Sequence, residues 1–219
     1  MAKPRVRDRF ADPTLPGSFA FRARARRWDR FATLFPDLAD MSVIDLGGTA
    51  AFWQEVPVRP SHLTLVNPAA TPDPSIGWAE VVIGDACDPP ASVTGRTFDL
   101  AYSNSTIEHV GGHQRRRLFA DVVQRLGRHL WVQTPYRYFP IEPHFVFPLF
   151  QHLPVAARTS AMAHWPLRPS DFPTDKAQIR EEVMGIDLLS ISDMRSYFPD
   201  MDLEYERVLG VVKSLIAVR

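Results

Sequence analysis

The chain has 219 residues, 45% of them apolar, with 25 basic and 25 acidic residues in formal balance. That is enough apolar material for one well-packed core, and the charge balance argues against a global field for nucleic acid or an anionic membrane. A single cysteine, Cys87, excludes an intrachain disulfide and argues against a cysteine-based metal site, and no run reaches the ~18 apolar residues that span a bilayer.

Residues 1–17 read as poorly ordered, and Lys3, Arg5, Arg7 and Arg9 are followed by no apolar core, so no secretory leader is expected and the chain reads as cytoplasmic. A helix is predicted over 21–35, with Phe21, Ala25, Trp28, Ala32 and Phe35 on one face and Arg22, Arg26, Arg27 and Arg30 on others. The arginines suit an anionic substrate or phosphates, although a solvated face explains them too. Together these make residues 1–40 a basic N-terminal segment ahead of a domain at 41–219.

From there, short apolar runs alternate with helical patterns. Strands are predicted at 42–46, 62–66, 79–83, 98–102 and 129–133, and a helix at 114–126 through Leu118, Val122 and Leu126. Continuous apolar strands joined by crossovers favour a parallel sheet buried on both faces. A helix at 190–197 has Ser190 or Ser192 as its cap, and the runs 203–209 and 211–218, broken at Gly210, predict a closing antiparallel hairpin. Twenty prolines cluster near 57–74, at Pro89-Pro90 and over 135–173. Proline stops regular elements from continuing, so the last cluster reads as a partly rigid insertion of about 135–186.

Chemistry concentrates where the strands end. Val43-Ile-Asp-Leu-Gly-Gly-Thr49 is a buried strand running into a tight turn, where Gly47 and Gly48 let a ligand approach bare backbone beside Asp45. The following strands end in Asn67, in Asp85-Ala86 and in Ser103-Asn104. In a doubly wound sheet these ends line one crevice. A ligand across them would meet Gly47 first, Asn67 near a ribose, Asp85 near a base, and Ser103 and Asn104 at its reactive end. Each could alone be a turn residue or cap, but four in register are harder to explain that way.

With these motifs in view, the sequence resembles the class I S-adenosylmethionine-dependent methyltransferases, small-molecule type, over 42–219. The resemblance rests on Val43-Ile-Asp-Leu-Gly-Gly, on Val82-Ile-Gly-Asp-Ala and on Phe98-Asp-Leu-Ala-Tyr-Ser-Asn-Ser-Thr-Ile-Glu-His-Val110. It implies an α/β fold, a doubly wound, mostly parallel seven-stranded sheet with an antiparallel C-terminal strand. It further implies S-adenosyl-L-methionine as cofactor, with Asp85 against the adenine. Two departures stand out: Gly48 sits one place early for Gly-x-Gly, and Asn67 replaces the usual acid after the second strand.

Methyl transfer to a hydroxyl needs alignment and a general base. Glu108, His109, His113, Glu142 and His144 are candidates; the pair Glu142 and His144 stands between prolines and aromatics, and His109 follows the fourth strand. Gly111-Gly112 disfavours the helix that would let His109 and His113 share a metal, so no metal is expected. Cys87 reads as a small buried side chain, and Phe52 and Trp53 as helix core or as a cation–π contact. The expected acceptor is a hydroxyl of a small molecule or saccharide, not a nucleic acid, since Ser103-Asn-Ser-Thr replaces the Asn/Asp-Pro-Pro-Tyr/Phe signature. The rival readings are a non-catalytic module binding cofactor or partner, and a nicotinamide oxidoreductase.

Overall fold

A computed structural model describes residues 7–11, 15–69 and 77–219. Helices α1 (Asp8–Ala11) and α2 (Phe19–Leu34) precede β1 (Ser42–Leu46), α3 (Ala50–Gln54), β2 (His62–Asn67), β3 (Ala79–Ile83), α4 (Ala91–Thr94) and β4 (Phe98–Asn104). Then come α5 (His113–Leu126), β5 (Gly127–Pro135), β6 (Ile141–Glu142), β7 (Phe147–Pro148), α6 (Val155–His164) and α7 (Lys176–Met184). The chain closes with α8 (Ile191–Tyr197), β8 (Asp202–Val208) and β9 (Val211–Val218). Among the described residues no helix is long and apolar enough to cross a membrane.

The chain divides into two compact units, one of residues 36–136 and 188–219, the other of the described residues up to Phe35 with 137–187. The first contains a seven-stranded sheet in the order β3-β2-β1-β4-β5-β9-β8. Strands β1 to β5 are parallel, and β9 inserts antiparallel between β5 and β8. The sheet is thus the doubly wound, mostly parallel one the sequence implies, with its antiparallel C-terminal strand. Apolar residues at every position of β1 but Ser42 and Asp45 leave it almost fully buried, as a strand covered on both faces requires.

Helix α5 packs through Phe119, Ala120, Val122, Val123 and Leu126. Of the predicted stripe Val122 and Leu126 are buried, whereas Leu118 is exposed and Phe119 takes its place in the core. Ser190 caps α8 in a capping box with Asp193, its hydroxyl accepting the Asp193 N–H at 3.1 Å while Asp193 Oδ2 accepts the Ser190 N–H at 2.8 Å.

The second unit has its own core of Phe145, Phe150, Met162, Ile179 and Val183, ringed by Phe147, Trp165 and Phe172. Prolines mark its joints: Pro154 opens α6 and Pro166 follows its end. Helix α7, capped by Asp175, carries no strong apolar stripe and was not anticipated. In α2 Phe31 is buried and clusters with Trp28 and Phe35; the expected face holds at half-buried Trp28 and Ala32 and at buried Phe35, but Phe21 and Ala25 are exposed. Within 1–17, residues 8–11 form a helical turn and not a disordered stretch; 1–6 and 12–14 lie outside the described residues, as do 70–74 of the expected proline-rich loop.

The β8–β9 hairpin turns on Leu209 and Gly210, with φ of 50° and 82°. Two left-handed residues define the turn that best matches strand twist, and a leucine is poorly suited to the first position. Leu209 is also 96% exposed, so its side chain contributes no packing in return. Leu209→Asn is expected to raise unfolding stability by about 0.5–1 kcal/mol, read from urea denaturation; an unchanged or lower midpoint would contradict the strain.

Candidate functional site

Gly47 ends β1 with φ of 93°, its N–H donating to the Val66 carbonyl at 2.8 Å. A Cβ at Gly47 would collide with the Thr106 side chain, and one at Gly48 with the Asp45 carboxylate. Gly47 therefore excludes a side chain for conformational and steric reasons together, and Gly48 for a steric one. Asn67 braces this turn. Its Nδ2 donates to the Gly47 and Gly48 carbonyls at 3.0 and 3.2 Å, and its Oδ1 accepts the Ala69 N–H at 2.9 Å. The amide's two donors are thereby spent, and one acceptor lone pair remains.

Asp45 is buried beneath the turn. Its Oδ2 accepts the Trp53 indole N–H at 2.7 Å, while Oδ1 is buried without a hydrogen-bond partner. Burial pushes its carboxyl up to about 7, and the indole hydrogen bond offsets only part of this. Trp53 itself is fully buried core, packed edge-on against Tyr102, with Phe52 stacked on the same Tyr102 ring.

Asp85, at the end of β3, forms an ion pair with Arg115 of α5 at 2.6 Å, and its other oxygen accepts the Cys87 N–H at 2.9 Å. Partial burial pushes its carboxyl up, but the Arg115 and Cys87 hydrogen bonds outweigh that and hold it below the ordinary value. Arg115 was missed because it stands in an Arg-Arg-Arg run that reads as solvated helix. Ala86 and Cys87 are buried next to it. Burial pushes the Cys87 thiol up to about 11, and Sγ donates to the Arg115 carbonyl at 3.3 Å; such a thiol is no nucleophile.

Ser103 is fully buried and donates to the Leu46 carbonyl at 2.8 Å, tying β4 to β1. It is a brace, whereas Asn104 at the strand end is half-buried. Ser105 follows with φ of 55° and anchors to Gln133 on β5 through its backbone N–H and hydroxyl. Glu108 is buried and accepts from Thr134 Oγ1 at 2.9 Å. His109 is exposed, with its N–H on the Thr106 carbonyl. His113 opens α5, with Nδ1 2.9 Å from the Tyr197 hydroxyl. Since α5 begins only at His113, the four-residue spacing of the two histidines is not a helical pair.

In the second unit, Glu142 and His144 sit on the β6–β7 hairpin. His144 Nδ1 lies 2.6 Å from Glu142 Oε1, and Glu142 Oε2 accepts the Phe145 N–H at 2.8 Å. Glu142 is buried and His144 about a quarter exposed. The Arg7 guanidinium donates to the His144 carbonyl at 3.4 Å. Proximity of the pair was expected; the clamp on the Phe145 N–H has no signal in the sequence.

Neither a protein-family model nor a curated protein matches the sequence. Among solved structures, the chain is similar to an S-adenosylmethionine-dependent methyltransferase from Mesorhizobium loti, with a TM-score of 0.53 and 15% identity over 88% of this chain and 96% of that one. It is also similar to N-methyltransferase NodS from Bradyrhizobium japonicum in complex with S-adenosyl-L-homocysteine, with a TM-score of 0.51, 10% identity and coverage of 90% and 86%. A third is a Burkholderia thailandensis 1,6-didemethyltoxoflavin-N1-methyltransferase with 1,6-didemethyltoxoflavin and S-adenosylhomocysteine bound, with a TM-score of 0.51, 10% identity and coverage of 90% and 76%. At these identities the likeness is one of fold: the chain has the fold of the class I S-adenosylmethionine-dependent methyltransferases.

The raised carboxyl of Asp45 carries a pH signature. Its folded value, about 7, lies above the ordinary 3.8, so the folded state holds the proton more tightly. Stability from this group is complete below about pH 4, falls as pH rises, and is gone above 7, a loss on the order of 4 kcal/mol. Asp45→Asn is expected to flatten the fall in unfolding free energy between pH 5 and 8 and to gain most at pH 8. Urea denaturation at both values measures this, and parallel profiles for variant and wild type would refute it.

Proposed function

We propose that this protein is an S-adenosylmethionine-dependent methyltransferase acting on a hydroxyl of a small molecule or saccharide. The observation that carries the reading is the end of β1, where a left-handed Gly47, a Gly48 without room for a Cβ and a buried, half-satisfied Asp45 meet. These residues fit the cofactor. The backbone at 47–48 and Asp45 would hold its amino-acid end, the remaining Asn67 lone pair a ribose hydroxyl, and Asp85 with Ala86 the base. Asn104 would lie toward the reactive end, with Ser103 fixing the strand. When bound, the cofactor supplies an electrophilic methyl group on a sulfonium.

Proton transfer falls to the Glu142–His144 pair. An ionised Glu142 only accepts, so His144 Nδ1 donates to it and the lone pair resides on Nε2. Nε2 takes the proton of the acceptor hydroxyl, and the Glu142 carboxylate stabilises the imidazolium that forms. His109 is the alternative base. A cytoplasmic setting agrees with one buried, unpaired thiol, Cys87.

Isothermal titration with S-adenosylmethionine tests the cofactor: wild type should bind, and absence of binding to folded protein sinks the reading. Gly47→Val should lose binding together with some stability, since its side chain meets Thr106 at a left-handed position, whereas Asp85→Ala should keep the fold and weaken binding by about 1–3 kcal/mol, as for a hydrogen bond to a charged group. Binding of NAD in preference to S-adenosylhomocysteine would favour an oxidoreductase.

The base is tested with any acceptor returned by a screen of hydroxylated small molecules and saccharides. His144→Ala should lower turnover ~10²-fold or more, leave cofactor affinity intact and abolish the acidic limb of the pH–rate profile. Glu142→Gln should be milder on turnover. Wild-type turnover in His144→Ala would transfer the role to His109.

A further inference from the structure

We infer that the segment comprising α1 and α2 is a docking surface for an anionic phospholipid membrane. The inference stands apart from the methyl-transfer reading and uses none of its residues. It starts from how charge is distributed along the chain. The first 30 residues contain nine Lys and Arg against three Asp, a net of +6; the other 189 contain 16 basic and 22 acidic residues, a net of −6. Overall neutrality thus hides a strongly polarised chain.

The structure adds an apolar element. Phe10 and Phe19 stack with ring centroids 5.5 Å apart, yet remain 42% and 53% exposed, and Phe21 is 39% exposed. Three partly bared phenylalanines on one short segment are unusual for a soluble surface. On α2, Phe19, Arg22 and Arg26 follow at i, i+3 and i+7, so the aromatic and the cations share one exposed stripe, while Phe31 faces the interior. Arg9 is exposed next to Phe10.

Basic side chains interleaved with aromatics along an exposed helical segment match an interfacial surface: the rings enter the headgroup boundary and the guanidinium groups meet phosphates and carboxylates. Each cation near such a surface contributes on the order of 1 kcal/mol. The net −6 of the remaining chain is repelled by the same field, which restricts contact to this segment. A nucleic acid would use the same cations, but it stacks bases on open ring faces, and Phe10 and Phe19 already cover one face of each other. Lipid needs only exposed apolar area, so the geometry favours lipid.

The test is co-sedimentation of the full chain with vesicles of phosphatidylcholine, with or without phosphatidylserine. Partitioning onto the phosphatidylserine vesicles should be at least about tenfold stronger and should collapse at high salt. The Arg22→Gln, Arg26→Gln double variant and the Phe10→Ser, Phe19→Ser double variant should each lower it about tenfold or more, with unchanged circular dichroism. Arg195→Gln, an exposed arginine elsewhere, should leave it unchanged. The inference is overturned by equal binding to neutral vesicles, by wild-type partitioning of both double variants, or by a single-stranded oligonucleotide that binds more tightly through the same residues. Cofactor titration of the double variants separates the two readings, since affinity for S-adenosylmethionine should not change.

Discussion

The Asp45 carboxylate, buried at the end of β1 and held by Trp53, is the constraint on which the candidate cofactor site depends. A carboxyl in that position costs stability unless it is neutral or compensated, and a single indole N–H at 2.7 Å compensates one oxygen only. The group fixes its surroundings in return. Gly48 has no room for a Cβ because the carboxylate occupies that space, and Gly47 has none because Thr106 does. Asn67 then ties down both glycine carbonyls. The turn is therefore backbone braced from three sides, and the uncompensated Asp45 oxygen stands at its base.

The second unit builds a comparable arrangement from different parts. Glu142 is held by the Phe145 N–H while it holds His144, so the ring direction is set by a carboxylate that is itself clamped. The hairpin turn demands left-handed backbone at Val146, with φ of 53°, and Leu149, just past β7, is left-handed as well, with φ of 56°. A β-branched residue there costs roughly 1–2 kcal/mol. Packing of Phe145, Phe147 and Phe150 against Trp165 and Phe172 opposes that cost. Strain maintained by an aromatic cluster next to a carboxylate–imidazole pair is the pattern of a positioned polar site.

Sheet strands were legible because their signals are local. The apolar runs of β1 and β3 and the Gly210 break specify elements whatever surrounds them, and β1 and β3 fall on the predicted residues. Helix faces were less legible. Phe31 and Phe119 are buried where Phe21 and Leu118 were expected, because several residues in each helix satisfy the same periodicity and only tertiary contact selects among them. Asp85 shows the same limit at the site. Its position at a strand end is readable, but its engagement by Arg115, thirty residues on, depends on how α5 crosses back.

The polar strand ends also differ in kind, which a reading in register cannot reveal. Ser103 and Asn67 spend their donors on main-chain carbonyls of the β1 end. They brace the β1 end and keep little hydrogen-bonding capacity for anything else. Asp45 and Asp85 retain acceptor capacity, and neither can donate when ionised. A ligand matched to this edge therefore carries donors toward the two carboxylates and takes its own acceptor contacts from backbone N–H groups. An amino group and an exocyclic amine meet the first requirement, and a carboxylate facing the glycine turn meets the second. The bracing amide and hydroxyl on one side and the two carboxylates on the other thus divide the labour at this edge in a way that the glycines alone do not reveal.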